Sequence, residues 1–142
     1  MNDTVMLLRE CNAGIKMGND AINRVLPHVK SYNLKKALNA CLDEQSTLGD
    51  KAHRLLTENG ADTKNAHPIA QVMSDIKIKS KLLLAPDEST VADLMTDGCD
   101  MGIKSLTKQL NKYKNASDEA RAVAEDVIAA EERLECQLRD YL

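Results

Sequence analysis

The sequence has no phenylalanine, no tryptophan and only three tyrosines among its 142 residues. A core must therefore be assembled from Leu, Ile, Val, Met and Ala, which favours helices over strands, where aromatic and β-branched residues concentrate. No apolar run approaches the roughly 20 residues of a membrane span. A strong excess of one charge is also missing. The net charge is −3 and the pI is near 5.6, which gives no electrostatic case for nucleic acid or an anionic membrane as the main partner. There is no Cys-x-x-Cys pair: Cys11, Cys41, Cys99 and Cys136 fall singly on separate segments. The first three lie on apolar stripes and read as small buried side chains, whereas Cys136 sits off its stripe and reads as exposed. No Gly-x-Gly-x-x-Gly follows a strand, and no Ser-His-Asp or Cys-His arrangement is legible, so an enzyme is not expected. The opening Met1-Asn2-Asp3-Thr4 lacks the basic and apolar regions of a signal peptide, and a cytoplasmic location is expected.

What the sequence does contain is helical periodicity. The length suits one domain, taken as residues 1–142. A first helix from about Thr4 to about Lys30 places Leu8, Cys11, Ile15, Gly18, Ile22 and Val25 on one face, with Pro27 kinking or ending it. Gly14 and Gly18, four apart, suggest close helix approach. A second helix, capped by Ser31 or Asn33, runs to about Asn59 and stops at Gly60; its seam reads Leu34, Leu38, Cys41, Gln45, Leu48, Ala52, Leu55. After the loop 58–65, Pro68 opens a shorter helical stretch, Ile69 to about Leu84, whose lysines Lys77, Lys79 and Lys81 read as a solvated connector face. A third helix runs from about Ser89 to Tyr113, and a fourth from the cap Ser117 to Leu142. The seam of the fourth is Ala120, Ala124, Val127, Glu131, Leu134, Leu138, Tyr141. A carboxylate in the middle of such a seam must find a partner, a proton or a metal, because burying it unpaired is costly.

The chain also repeats itself. Gly14-Ile15-Lys16-Met17-Gly18 with Ile22 matches Gly98-Cys99-Asp100-Met101-Gly102 with Leu106 at a constant offset of 84 residues, and Gln45-x-x-Leu48 mirrors Glu131-x-x-Leu134. Two similar helical hairpins joined by a long crossover are expected, and a crossover with its own helix can return along the bundle and leave the second and third helices parallel. The mid-bundle polar pair, Gln45 and Glu131, is expected to form a hydrogen bond that fixes register, with burial raising the pKa of the acid.

These hairpins, the crossover and the polar positions in the second and fourth helices resemble the ferritin-like superfamily of four-helix bundles. With the Met-Gly-x-x-x-(Ile/Leu) repeats and the loop Glu58-Asn59-Gly60, the chain is also similar to a bacterial family within it that lacks the full di-metal ligand set. The resemblance implies an all-α, ferritin-like four-helix bundle. In that superfamily, Glu on the first and third helices and Glu-x-x-His on the second and fourth hold two metal ions. Here both histidines are replaced, by Leu48 and Leu134, and only Glu131 matches the ligand pattern. The resemblance therefore implies a degenerate site in a non-catalytic interaction, assembly or structural protein, with a homo-oligomer as the expected assembly. No metal is favoured. The alternative is a divalent-metal, iron or manganese, binding or redox protein. Its candidate ligands are Glu131 and Gln45 with Glu44, Glu132, Glu135 and Glu10, and Asp97 or Asp100 as further acids. Of the histidines, His53 is expected to be partly buried, and His28 and His67 lie near helix ends.

Overall fold

Each helix begins on a polar side chain that satisfies one of its free amides. In the computed structural model, which describes residues 2–62, 82 and 87–142, α1 spans Asp3–Val25, α2 Tyr32–Glu58, α3 Glu88–Lys112 and α4 Asp118–Leu138. Their caps are Asn2, Ser31, Asp87 and Ser117, each side chain accepting from the backbone N–H three residues on. Such a cap contributes about 1 kcal/mol. Asn59 caps the end of α2, and Gly60 follows at φ +70°, a left-handed conformation open to glycine at little cost.

The two ends of the bundle are tied by different contacts, and these define the topology. At one end Glu88 Oε1 accepts from the backbone N–H groups of Lys30 (2.9 Å) and Ser31 (2.7 Å), holding the start of α3 against the turn between α1 and α2. The Tyr141 hydroxyl lies 3.4 Å from Ser31 Oγ, which brings the end of the chain to the same place. At the opposite end Asp3 Oδ2 accepts from Asn115 N (3.0 Å), Thr4 Oγ1 accepts from Ser117 N (2.8 Å), and Arg9 pairs with Asp62 at 2.9 Å. So α1 and α2 are antiparallel, α3 and α4 are antiparallel, and α2 and α3 run parallel. The connection between Glu58 and Glu88 joins opposite ends of the bundle, as a long crossover does. Neighbours around the bundle are α1–α2, α2–α4, α4–α3 and α3–α1, with α1 also touching α4 across the diagonal. The described residues thus form an all-α four-helix bundle. None of their helices is long and apolar enough to cross a membrane.

Between its two ends the core is divided. One apolar cluster gathers Leu7, Leu8, Cys11, Ile15, Leu48, Leu55, Leu56, Leu106, Val123 and Val127; the other gathers Ile22, Val25, Leu34, Leu38, Cys41, Val91, Met95, Cys99, Leu134 and Leu138. The division falls at one level on every helix: Gly18 between Ile15 and Ile22, Gln45 between Cys41 and Leu48, Gly102 between Cys99 and Leu106, Glu131 between Val127 and Leu134. Among the described residues, Gln45 and Glu131 are the buried polar ones in this core.

Several helix ends differ from the expected ones. The first helix does not continue to Lys30: α1 stops at Val25 and Leu26–His28 form a 3-10 turn around Pro27, whose ring nitrogen has no hydrogen to donate. The fourth does not continue to Leu142; it tightens into a 3-10 turn over Arg139–Tyr141, leaving Tyr141 half-buried at the bundle end. His53 is exposed, because it follows Ala52 on the outer side of α2. The stretch expected as a connector helix, Ile69–Leu84, with its lysines, and His67 lie outside the described residues, apart from Leu82, which is buried against the second cluster.

Candidate functional site

Among the described residues, the level at which the core divides is where polar side chains are buried in the middle of the bundle. Gln45 is 1% exposed and Glu131 7%. The Gln45 amide donates a hydrogen bond to the Glu131 carboxyl, joining α2 to α4. Glu131 Oε2 and Gln45 Oε1 have no hydrogen-bond partner.

Room for both side chains comes from the glycines of the repeat. A Cβ at Gly102 would lie 2.5 Å from Glu131 Oε1, 2.6 Å from Oε2 and 2.8 Å from the carboxyl carbon. At Gly18 it would lie 2.9 Å from Gln45 Oε1. So each hairpin seats a polar side chain against its own glycine, Gln45 on Gly18 and Glu131 on Gly102. Gly14 and Gly98 are different: a Cβ at either would meet nothing within 4 Å. The expectation of close helix approach is therefore corrected in kind. Two of the four glycines make a notch for a side chain, and the other two have free space above them.

The electrostatics follow from burial. Desolvation raises the Glu131 pKa from 4.5 to about 8; the Gln45 hydrogen bond opposes the rise and the charge of Glu135 adds to it. Cys41 on α2 is pushed up to about 12, by burial first and then by the negative charges of Glu131 and Glu44. Cys99 on α3 is raised for the same reasons, burial and then Glu131. Cys11, farther along α1, is pushed up to about 12 by burial and Glu10. Thiols held so far above neutrality are poor nucleophiles and poor metal ligands. All four cysteines are free, with Cys136 exposed.

The remaining candidate acids lie apart from this layer. Glu44 pairs with Arg133 across the outer edge of α2 and α4. Glu135 hydrogen-bonds Asp100 at the bundle surface, and this proton-sharing contact raises its pKa. Glu132 is exposed, Glu10 is half-buried on α1, and Asp97 is half-buried on α3. Among the described residues no group of three or more His, Cys, Asp or Glu side chains is placed to hold a metal ion. The residues of the central layer also do not fit a di-metal centre. Among the described residues its carboxylate count is one, Leu48 and Leu134 stand three residues after Gln45 and Glu131 where the ferritin-like pattern has histidines, and the carboxyl packs on the Gly102 backbone with an amide as its hydrogen-bond partner.

The repeat and the seams made Gln45 and Glu131 visible in advance. The notches were missed, although their signal was present, because each polar seam residue belongs to a hairpin with a glycine at the matching level. Fold and site together define an all-α four-helix bundle with a buried amide–acid pair at its centre. Compared with family models, curated proteins and solved structures, the chain gives no match.

Proposed function

We propose that this chain is a metal-free bundle of the ferritin-like type that serves as a non-catalytic interaction or assembly module in the cytoplasm, associating with copies of itself. The observation that carries this reading is the central layer. Where a ferritin-type bundle gathers carboxylates and histidines around cations, this one has two glycines and two side chains that bond each other. The parallel α2 and α3 support the ferritin-like topology, and four unpaired cysteines suit a reducing compartment. With its centre filled by its own side chains, the bundle has its outer faces left for contacts. Tyr32, Met101 and Leu142 are the large apolar side chains exposed there among the described residues.

Light scattering across a wide range of protein concentrations tests the assembly part of the reading. A mass that rises to a defined multiple of the monomer supports it, and a monomer mass independent of concentration refutes it. Loading with iron(II) or manganese(II) tests the metal-free part: binding in a stoichiometric amount that Glu131→Ala abolishes would replace this reading by ferritin-type metal binding.

A further inference from the structure

The central layer leaves one chemical question open, which is what neutralises Glu131. Every element packed around the carboxyl bears on the answer. From α1 the residue at this level is Gly18, which has no charge. From α2 come Gln45 and the Cys41 thiol; Glu44 lies further out and is engaged by Arg133. From α3 come Gly102 and the Cys99 thiol, with Asp100 outside them bound to Glu135. On α4 itself Glu135 follows one turn on and adds negative charge, and Arg133 points to the surface pair with Glu44. Among the described residues no cation balances the carboxyl.

We propose that Glu131 holds a proton where a di-metal bundle holds cations, so that the layer is a neutral acid–amide pair and loss of that proton weakens the join between the two halves of the core. This rests on the metal-free reading above. Three observations carry it. The first is the carboxyl's burial with no cation beside it among the described residues, a situation that favours the neutral form. The second is the internal repeat. Gln45 sits on Gly18 as Glu131 sits on Gly102, and a protonated glutamate has nearly the shape of glutamine, so both notches hold a neutral group of one shape. The third is the orphaned oxygens. The pair has two buried acceptors, Gln45 Oε1 and Glu131 Oε2, and an ionised acid would leave both without a donor. Protonation adds the one donor this layer lacks. The rise of the Glu131 pKa to about 8 agrees with this assignment.

The consequence has a definite sign. The folded chain retains a proton that the unfolded chain releases near 4.5, so the stabilisation is complete below that pH and is lost as pH rises toward about 8. Over that window the unfolding equilibrium constant should rise by up to about tenfold per pH unit from this group, and then stop rising. The experiment is urea unfolding of the full chain and of Glu131→Gln from mildly acid to alkaline pH, each with and without chelator, together with a ¹³C NMR titration of the wild-type Glu131 carboxyl. The proposal expects the carboxyl to titrate well above the ordinary range. It expects Glu131→Gln to fold and to lack the decline. A carboxyl that titrates near 4.5, a decline of equal size in both proteins, or a Glu131→Gln chain that fails to fold would each overturn the proton and leave the metal-free reading intact. Stability that drops on adding chelator to the wild type alone would overturn the metal-free reading itself, and the proton with it.

Discussion

Replacing Gly102 by alanine puts the packing of the central layer to a direct test, because the same substitution at Gly98, one turn earlier on the same helix, provides its control. In an open helical position, glycine to alanine stabilises by about 1 kcal/mol through backbone entropy. Gly98 is such a position, since nothing lies within 4 Å of the added Cβ. At Gly102 the same methyl would meet the Glu131 carboxyl at 2.5 to 2.8 Å, well inside ordinary contact. The carboxyl must then leave its notch. Overpacking of this kind costs about 1–3 kcal/mol. Separating the acid from Gln45 leaves buried polar groups unpaired, at about 1–3 kcal/mol more. After the entropic gain is subtracted, Gly102→Ala should destabilise by roughly 1–5 kcal/mol while Gly98→Ala stabilises by about 1. Gly18→Ala should fall between them, because its Cβ meets the far end of the flexible Gln45 side chain at 2.9 Å. Urea unfolding of the three variants gives the order. Adding Glu131→Ala to Gly102→Ala should remove much of the penalty, as expected for residues in contact. A Gly102→Ala protein as stable as Gly98→Ala would show that the carboxyl does not occupy the notch, and the description of the layer would be wrong.

Four further outcomes are expected. Gln45→Ala removes the hydrogen bond to Glu131 and should cost about 1–3 kcal/mol in urea unfolding, while raising the pH at which the Glu131 carboxyl titrates by NMR. Glu88→Ala removes an acceptor shared by two backbone N–H groups between α3 and the turn after α1; a loss of about 1–3 kcal/mol is expected, with amide exchange speeding up first at Lys30 and Ser31. Ser117→Ala removes the cap that accepts from Ala120 N at 3.2 Å and should cost about 1 kcal/mol by thermal unfolding, whereas Arg133→Ala, which breaks an exposed pair with Glu44, should change stability by less than about 1.

How much of this was legible in the sequence differs by feature. Helix positions and the buried seams were, because a core without Phe or Trp leaves the 3.6-residue period of Leu, Ile, Val and Ala as a clear signal. All seven expected seam residues of α2, Leu34 to Leu55, are buried. Helix ends were less so: Pro27 announces a break, but whether the chain turns at once or continues in a tighter coil depends on what the next turn packs against. Gln45 and Glu131 could be paired from the sequence because their seams share a register. Which glycines receive them was harder to read: Gly14 and Gly18 lie about 6 Å apart along the axis and about 40° around it, so the level of each polar side chain must be known to within a turn before its notch can be assigned. The surface acids show the same limit. Glu44 and Glu132 are one step from seam positions, and that single step takes one to the edge of the bundle and the other to solvent.

In the proposed reading, an amide–acid pair seated on two glycines fills the place where a ferritin-type bundle gathers metal. The most direct test of that reading is elemental analysis of the chain expressed in cells supplied with iron and manganese and purified without a histidine tag, beside Glu131→Ala treated identically. The account predicts no stoichiometric metal in either protein. Iron or manganese bound in a fixed ratio to the wild type and lost from Glu131→Ala would contradict it.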